Sequence, residues 1–187
     1  MLTSDELIAK YGKSKKARSS GETERANKAI CETLYNSFHA SPTYARSVFL
    51  AFYGPDSAPD IRDFAEDMTI HSDRVFFPVM AGNTMVFFEQ GTDAAFDKNS
   101  HGIYEPSDIT DPLEGSEDAV LFIPYEIFSG KGDPKVIECY KNFIASCKGL
   151  QRIHGIAFDS QIGAGDYKYS PAIIPEAITT ESGTARL

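Results

Sequence analysis

The sequence predicts a three-layer α/β/α sandwich with a mostly parallel sheet. Segments rich in β-forming residues alternate with amphipathic helical segments along the chain of 187 residues, a pattern typical of βαβ units. The segment 119–124, AVLFIP, is a continuous apolar run, as expected for a strand that is covered on both faces. The segment 152–158, RIHGIAF, is a predicted strand that follows a predicted helix, so a parallel crossover is expected between these two strands.

Length and composition favour one globular domain over residues 1–187, long enough to close a hydrophobic core. The net charge of -9 repels a phosphate backbone, so nucleic acid is not an expected partner. No apolar run approaches the roughly 20 residues that span a bilayer, and the segment 1–16 lacks the apolar centre of a signal peptide. The three cysteines show no CxxC spacing. We therefore expect a cytoplasmic monomer with no membrane partner.

The N-terminal half of the chain predicts helices and strands in alternation. Apolar residues at helical spacing indicate the helices, and runs of β-branched and aromatic residues indicate the strands. The predicted elements are a helix that starts at 3–6, a helix over 22–38, a strand over 46–53, a helix over 60–70, and two strands over 74–80 and 84–89 that form a hairpin.

The C-terminal half is organised around the segment 119–143. Its strand is followed by the turn SGKG at 129–132 and then by Asp133-Pro134, a capping carboxylate and a proline that favour a helix start. The other predictions are an irregular region over 90–100, a loop over 101–106, a helix over 133–148, a last short strand from 173–174 and 177–180, and a loose tail over 181–187.

Functional residues are expected where the parallel strands end, because ligands of open α/β sheets bind beyond the carboxyl ends of the strands. A loop that leads from a strand into a helix N-terminus commonly holds phosphate, and 129–134 is such a loop. The predicted strand ends are 53–59, 78–83, 124–132 and 158–163.

Familiar catalytic signatures are missing from the sequence, including GxxxxGK[ST], GxSxG, HExxH and a complete GxGxxG. His154 lies in a predicted strand and is expected to be a satisfied structural histidine, whereas His101 stands in a glycine loop near Glu105. No spaced cluster supports a metal site built from protein ligands alone. Magnesium that arrives with nucleotide phosphates needs only one or two carboxylates.

Basic residues cluster near the N-terminus in this acidic chain. One interpretation is a solvated helix face, which is the usual meaning of a short charge run. The other is a pair of cations that reach an anionic ligand. The cluster comprises Lys10, Lys13, Lys15, Lys16 and Arg18.

Several short segments occur in an order that points to a known family. They are the strand 48–53 followed by APDIR at 58–62, GIYEP at 102–106, the strand 120–124 followed by Phe128 and Gly130, GIAFDSQ at 155–161, and Thr180-Glu181. In this combination the chain resembles the 5-formyltetrahydrofolate cyclo-ligase (methenyltetrahydrofolate synthetase) family, from about residue 30 to residue 181.

The resemblance implies a Rossmann-like sandwich and the ATP-dependent, Mg²⁺-requiring ring closure of 5-formyltetrahydrofolate to 5,10-methenyltetrahydrofolate. In such a reaction the formyl oxygen is phosphorylated and then expelled as the ring nitrogen attacks, so positioning and charge neutralisation dominate. The matching positions imply ATP contacts at Lys10, Lys13, Gly130, Lys131, Gly132 and Tyr140, with Lys131 as the candidate catalytic residue, and folate contacts at Tyr53, Gly102, Ile103, Tyr104, Glu105 and Gln161.

The chain departs from the family in the central loop, G-x-R-x-G-x-G-x-G-x-Y-D-R. The corresponding stretch is GKGDP at 130–134, with Lys131 in the place of the arginine. Asp133 puts a carboxylate where the phosphate should lie, and the two anions compete for the same amides. One turn of the family has the sequence pattern E-x-D-T. In this chain Ala58 stands in place of the glutamate and Ile61 in place of the threonine.

Three interpretations remain open at this level. The first is a divergent active cyclo-ligase whose phosphate site is rebuilt from Lys131, Gly132 and the N-terminal lysines. The second is a degenerate member that binds folate or nucleotide without turnover. The third is an unrelated α/β protein whose match is coincidental. Stabilisation by MgATP and by 5-formyltetrahydrofolate separates these interpretations. The most useful structural observation is whether the 129–134 loop leaves free amides facing an open pocket, because a backbone phosphate cradle needs them free.

Overall fold

The computed structural model describes residues 2–3, 18–109, 111–115, 117–162 and 172–186. The strands are β1 (Leu2–Thr3), β2 (Val48–Leu50), β3 (Val75–Ala81), β4 (Thr84–Glu89), β5 (Phe96–Lys98), β6 (Tyr104–Pro106), β7 (Ala119–Pro124), β8 (Leu150–Ile156), β9 (Ala177–Thr180) and β10 (Gly183–Arg186). The helices are α1 (Ser20–Phe38), α2 (Arg62–Ile70), α3 (Tyr125–Phe128), α4 (Pro134–Ser146) and α5 (Asp159–Ile162).

Within the described residues, the main sheet has eight strands in the order β1-β10-β9-β8-β7-β2-β3-β4. The five central strands, from β9 through β8, β7 and β2 to β3, are parallel to one another. β4 and β10 run antiparallel to their inner neighbours, and β1 is parallel to β10. The predicted mostly parallel sheet is confirmed, and so is the β3–β4 hairpin.

Helices cover both faces of the sheet. On one face, α1 and α2 bury Ile30, Leu34 and Phe64 against aromatic residues such as Phe49 and Phe122. On the other face, the buried side of α4 packs against β4 and the central strands. Each fully buried aliphatic or aromatic side chain stabilises the folded protein by about 1.5–3 kcal/mol. The two helical layers and the sheet between them form the predicted three-layer sandwich.

The helix starts follow local sequence signals. Ser19 caps α1 in a capping box, in which Ser19 Oγ accepts from the Glu22 amide and the Glu22 carboxylate accepts from the Ser19 amide. At α4 the carboxylate of Asp133 accepts from the Lys135 amide at 2.7 Å, and Pro134 occupies the first turn. The start predicted at Asp133-Pro134 is therefore confirmed.

The structure corrects three of the predicted elements. The tail predicted at 181–187 contains β10, which pairs with β9, and the irregular and loop regions over 90–106 contain the β5–β6 hairpin. Residues 173–174 lie outside any strand. Of the helix start predicted at 3–6, Thr3 belongs to β1 and the remainder lies outside the described residues.

Two expectations from composition can be compared with the structure. Cys31, Cys139 and Cys147 are all free thiols, and burial raises the pKa of the Cys31 thiol to about 12, so Cys31 acts as a core residue. Among the helices that the structure describes, none combines the length and the apolar character that a membrane span requires.

Candidate functional site

Three strand ends meet around the carboxylate of Glu126. Glu126 follows β7, and its Oε1 accepts hydrogen bonds from Ser57 Oγ at 2.7 Å and from Gln161 Nε2 at 3.0 Å. Gln161, which follows β8, also donates to the backbone carbonyl of Ser57 at 3.1 Å. These contacts tie together the carboxyl ends of β2, β7 and β8, as the rule for open α/β sheets predicts.

A second polar cluster adjoins the ends of β8 and β9. Arg18 forms an ion pair with Glu181, and its guanidinium lies 4.3 Å from the centre of the Phe158 ring. The carboxylate of Glu181 also accepts from the Asp159 amide at 2.9 Å, and Ser182 Oγ donates to Asp159 Oδ2 at 2.5 Å. Burial lowers the pKa of Arg18, and the negative charges of Asp159 and Glu22 oppose that shift.

Unpartnered polar atoms are concentrated at this edge of the sheet. Among the described residues, six buried side-chain atoms lack a hydrogen-bond partner in the protein. Buried polar groups normally find partners, so such a concentration indicates a place where a ligand or water supplies them. Five of the six belong to residues at the carboxyl ends of β7, β8 and β9: Arg18 Nη1, Tyr125 Oη, Glu126 Oε2, Ser129 Oγ and Asp159 Oδ1.

The GIYEP segment, which contains the end of a turn and strand β6, lies beside this edge. Gly102 has φ of +78°, a left-handed conformation that favours glycine, and Ile103 is buried in the core. Glu105 Oε1 accepts from the Met80 amide and from Asn99 Nδ2, both at 2.8 Å. Glu105 thus fastens the turn to the end of β3, which gives this glutamate a structural role in addition to the predicted contact with folate.

Two predicted folate contacts, Tyr53 and Tyr104, stack on each other. Their ring centroids are 4.1 Å apart with an interplanar angle of 12°. The guanidinium of Arg62 lies 3.9 Å from the Tyr53 ring centre, and the ammonium of Lys98 lies 5.0 Å from the Tyr104 ring centre. Each cation is also ion-paired, Arg62 with Asp60 at 2.6 Å and Lys98 with Asp56 at 2.9 Å. The stacked rings are therefore held between two cations whose charges are balanced.

Three backbone amides of the loop 129–132, which follows β7 and α3, donate hydrogen bonds to nearby backbone carbonyls. The amide of Ser129 donates to the Tyr125 carbonyl at 2.9 Å, and the amide of Gly130 donates to the Ile127 carbonyl at 3.3 Å. The amide of Gly132 donates to the Glu126 carbonyl at 2.7 Å. A Cβ at Gly132 would lie only 3.1 Å from that carbonyl oxygen, so this glycine serves loop closure. In this arrangement the loop does not offer these amides to a triphosphate.

Asp133 joins this loop to the GIYEP turn. Its Oδ2 lies 3.0 Å from His101 Nδ1, and its other oxygen caps α4. The hydrogen bond from His101 is the largest influence that lowers the pKa of Asp133, followed by the amide of Lys135. A negative charge is therefore held at the helix N-terminus, where a phosphate would otherwise bind.

The other predicted ATP contacts have different placements. Tyr140 is 1% exposed and packs in the α4 layer of the core, so its position argues against the predicted contact with ATP. Lys131 is exposed, and its ammonium lies 5.6 Å from the centre of the Tyr125 ring. Lys10 and Lys13 lie outside the described residues.

Sequence reasoning missed the residues that hold the site together. Ser57, Glu126 and Asp159 lie within predicted strand-end segments, but no motif distinguished them from other polar residues there. Their signal is spatial, because Glu126 is 69 positions from Ser57 in the chain. No group of three histidine, cysteine or acidic residues within the described ranges is placed to hold a metal ion.

Comparison with solved structures identifies the fold. The chain is similar to the NMR structure of 5,10-methenyltetrahydrofolate synthetase from Aquifex aeolicus, with a TM-score of 0.64, 16% identity, and coverage of 100% of this chain and 93% of that one. The chain has the fold of the methenyltetrahydrofolate synthetases. A 5,10-methenyltetrahydrofolate synthetase structure from Mycoplasma pneumoniae is also similar, with a TM-score of 0.54, 16% identity, and coverage of 86% and 88%. No family model and no curated protein matches the chain by sequence.

Proposed function

We propose that this protein acts on a reduced folate at the carboxyl edge of its sheet and catalyses the ATP-dependent ring closure of 5-formyltetrahydrofolate to 5,10-methenyltetrahydrofolate. The observation that carries the proposal is the concentration of five unpartnered buried polar atoms at that edge, in a chain with the synthetase fold over its full length.

The edge has the groups that such a reaction needs for positioning. Glu126 keeps one carboxylate oxygen without a protein partner, and it can accept a hydrogen bond from an N–H of a bound folate. Holding the reacting groups in line is the main task of a site for phosphoryl transfer.

Side chains would contact the phosphates of ATP in this proposal, with charge from lysine and arginine and a hydrogen bond from serine, since three amides of the loop are occupied. Lys131 is exposed at the loop, Arg18 Nη1 and Ser129 Oγ lack partners at the same edge, and Lys10 and Lys13 remain predicted contacts. Magnesium would arrive with the phosphates and needs only one or two carboxylates from the protein.

The direct test is to incubate the purified protein with 5-formyltetrahydrofolate and MgATP and to follow the absorbance of the methenyl product. Glu126→Gln is expected to lower kcat/KM by about 10-fold or more, because it replaces the charged acceptor at the site. The matched control is Glu138→Gln, which makes the same change at an exposed position of α4. A folded wild-type protein that forms no product would reject ring closure.

A second candidate function is the binding of folate or nucleotide without turnover. One observation favours the folate form of this candidate, namely that the Asp133 carboxylate occupies the N-terminus of α4 beside a loop whose amides are in use. A carboxylate at this position repels a phosphate and competes with it for the same donors.

Ligand-induced stabilisation separates the two candidates. A ligand at 100 times its dissociation constant stabilises the folded protein by about 2.7 kcal/mol. Stabilisation by 5-formyltetrahydrofolate alone, without an effect of MgATP and without product, supports binding without turnover. Stabilisation by neither ligand would reject both functions.

A further inference from the structure

A cavity lies at the edge of the sheet opposite the Glu126 cluster, where β8 and β9 begin. We call it the amino-edge cavity; it has a volume of about 510 Å³. It is lined by residues of the C-terminal half of α1, the segment 41–44, and strands β8, β9 and β10. It is separate from the Glu126 cluster, since parallel strands begin and end at opposite edges of a sheet.

The charged residues that line this cavity are two arginines, Arg152 and Arg186, in a chain with a net charge of -9. Arg152 Nε lies 3.3 Å from Glu176 Oε2, and its guanidinium lies 5.5 Å from the Tyr44 ring centre. Arg186 is exposed and forms no ion pair within the part of the chain that the structure describes. The lining therefore favours an anion.

A buried histidine contributes a polar atom to the same place. His154 lines the cavity and is 2% exposed. Its Nε2 lies 2.8 Å from Thr179 Oγ1, which in turn lies 2.6 Å from Thr184 Oγ1. Its Nδ1 has no partner among the described residues, so the expectation of a fully satisfied histidine is only half met. When Thr179 donates to Nε2, Nδ1 carries the ring proton and is a hydrogen-bond donor.

Hydroxyl groups and aromatic rings complete the cavity. The hydroxyl of Thr33 donates to the Ala29 carbonyl at 2.8 Å, and the hydroxyl of Ser37 donates to the Thr33 carbonyl at 2.7 Å. Both hydroxyl protons are therefore used within α1. The rings of Phe38 and Tyr44 form an apolar wall. The volume and this wall fit more than a bare ion.

The geometry points to a second ligand site in the amino-edge cavity, for a small organic molecule that carries a phosphate or carboxylate group. Arg152 and Arg186 neutralise the oxyanion, since guanidinium groups bind both phosphate and carboxylate through paired hydrogen bonds. His154 supplies the buried polar atom, and the rings of Phe38 and Tyr44 contact the apolar part of the ligand. This site does not depend on the function proposed for the opposite edge.

The test is a titration of the ¹⁵N-labelled protein with inorganic phosphate, with AMP and, separately, with succinate, followed by amide chemical shifts. Saturable shifts are expected at the amides of residues 41, 43 and 44, at Ala177 and at 184–186 with at least one probe. A response to AMP or inorganic phosphate identifies a phosphate site, and a response to succinate alone identifies a carboxylate site; either supports the proposal.

Variants then distinguish a built site from general attraction by charge. Arg186→Gln is expected to weaken binding by about 10-fold or more, and His154→Gln is expected to weaken it without a change in net charge. Arg25→Gln removes the same charge from an exposed position of α1 and should leave the affinity unchanged.

Three results would overturn the proposal. The first is the absence of a saturable shift with any of the three probes. The second is an equal loss of affinity in Arg25→Gln and Arg186→Gln. The third is a set of shifts confined to 129–132, which would place the anion at the carboxyl edge. Thermal unfolding of each variant confirms that the fold is retained.

Discussion

His101 Nδ1 and Asp133 Oδ2 lie 3.0 Å apart and join two segments that the family resemblance assigns to different ligands. His101 belongs to the turn that would face folate, and Asp133 begins the helix that would face ATP. A single contact therefore holds a negative charge at the helix N-terminus and connects it to the folate side of the site.

Asp133→Asn is expected to strengthen MgATP binding by about 5-fold, equivalent to about 1 kcal/mol. Asparagine caps a helix nearly as well as aspartate, so the free energy of unfolding should change little while the repulsion of phosphate is removed. Isothermal titration calorimetry measures the affinity. Unchanged affinity in the variant would show that the carboxylate does not compete with the phosphates.

Tyr140→Phe is expected to leave the MgATP-induced change in Tm the same as in the wild-type protein. Tyr140 is 1% exposed in the core, and its burial raises the pKa of the phenol. Tyr140→Ala should instead lower the free energy of unfolding by about 3–5 kcal/mol, as for other large-to-small changes at aromatic core positions. If MgATP no longer raised the Tm of the phenylalanine variant, that result would support the predicted contact between the Tyr140 hydroxyl and ATP.

Gly149→Ala is expected to lower the free energy of unfolding by about 3 kcal/mol. A Cβ at this position would overlap the backbone carbonyl of Glu117, and the Gly149 carbonyl accepts from the Ala119 amide at 2.8 Å. Urea unfolding measures the change. Gly91→Ala is the control, because a Cβ there meets no atom within 4 Å, and a similar loss in both variants would contradict the steric explanation.

The folded protein is expected to lose stability as the pH falls from about 6.5 towards 3 because of His154. Burial, with a smaller effect of the Arg152 charge, lowers the pKa of His154 to about 3, so the unfolded chain binds a proton that the folded chain does not. Stability then rises with pH in this window by up to about 1.4 kcal/mol per pH unit and is complete above it.

Urea unfolding at several pH values between 5 and 7 measures that slope. The slope should be reduced in His154→Gln, which cannot titrate, and retained in His71→Gln, which removes an exposed histidine. Equal slopes in the wild-type protein and His154→Gln would mean that the pKa of His154 is the same in the folded and the unfolded protein, which would contradict the prediction.

The central elements were predictable because their signals are local. The apolar run Ala119–Pro124 coincides with β7, and the signal at Asp133-Pro134 marks the start of α4. The β5–β6 hairpin was not predictable in this way. Its turn depends on the side chain of Asn99, whose Oδ1 accepts from the amides of His101 and Ile103, and such contacts leave no periodic pattern in the sequence.

The sequence predicted where the candidate site lies in the fold, but not which side chains contact one another there. The strand-end rule selected the segments that contain Glu126 and Gln161, but their hydrogen bond joins residues 35 positions apart and depends on the parallel pairing of β7 with β8. The family motif also placed Tyr140 at the ligand, whereas in the structure Tyr140 lies on the buried face of α4.

The pairing of β1 with β10 has a consequence for aggregation. Leu2 pairs with Ala185 and Thr3 with Arg186, so the first described residues cover the outer edge of a strand near the end of the sequence. Without that cover, β10 would present unpaired N–H and C=O groups, which can recruit a strand from another molecule. Loss of the first three residues would therefore favour edge-to-edge association of this protein while the five parallel strands at the centre of the sheet remain paired.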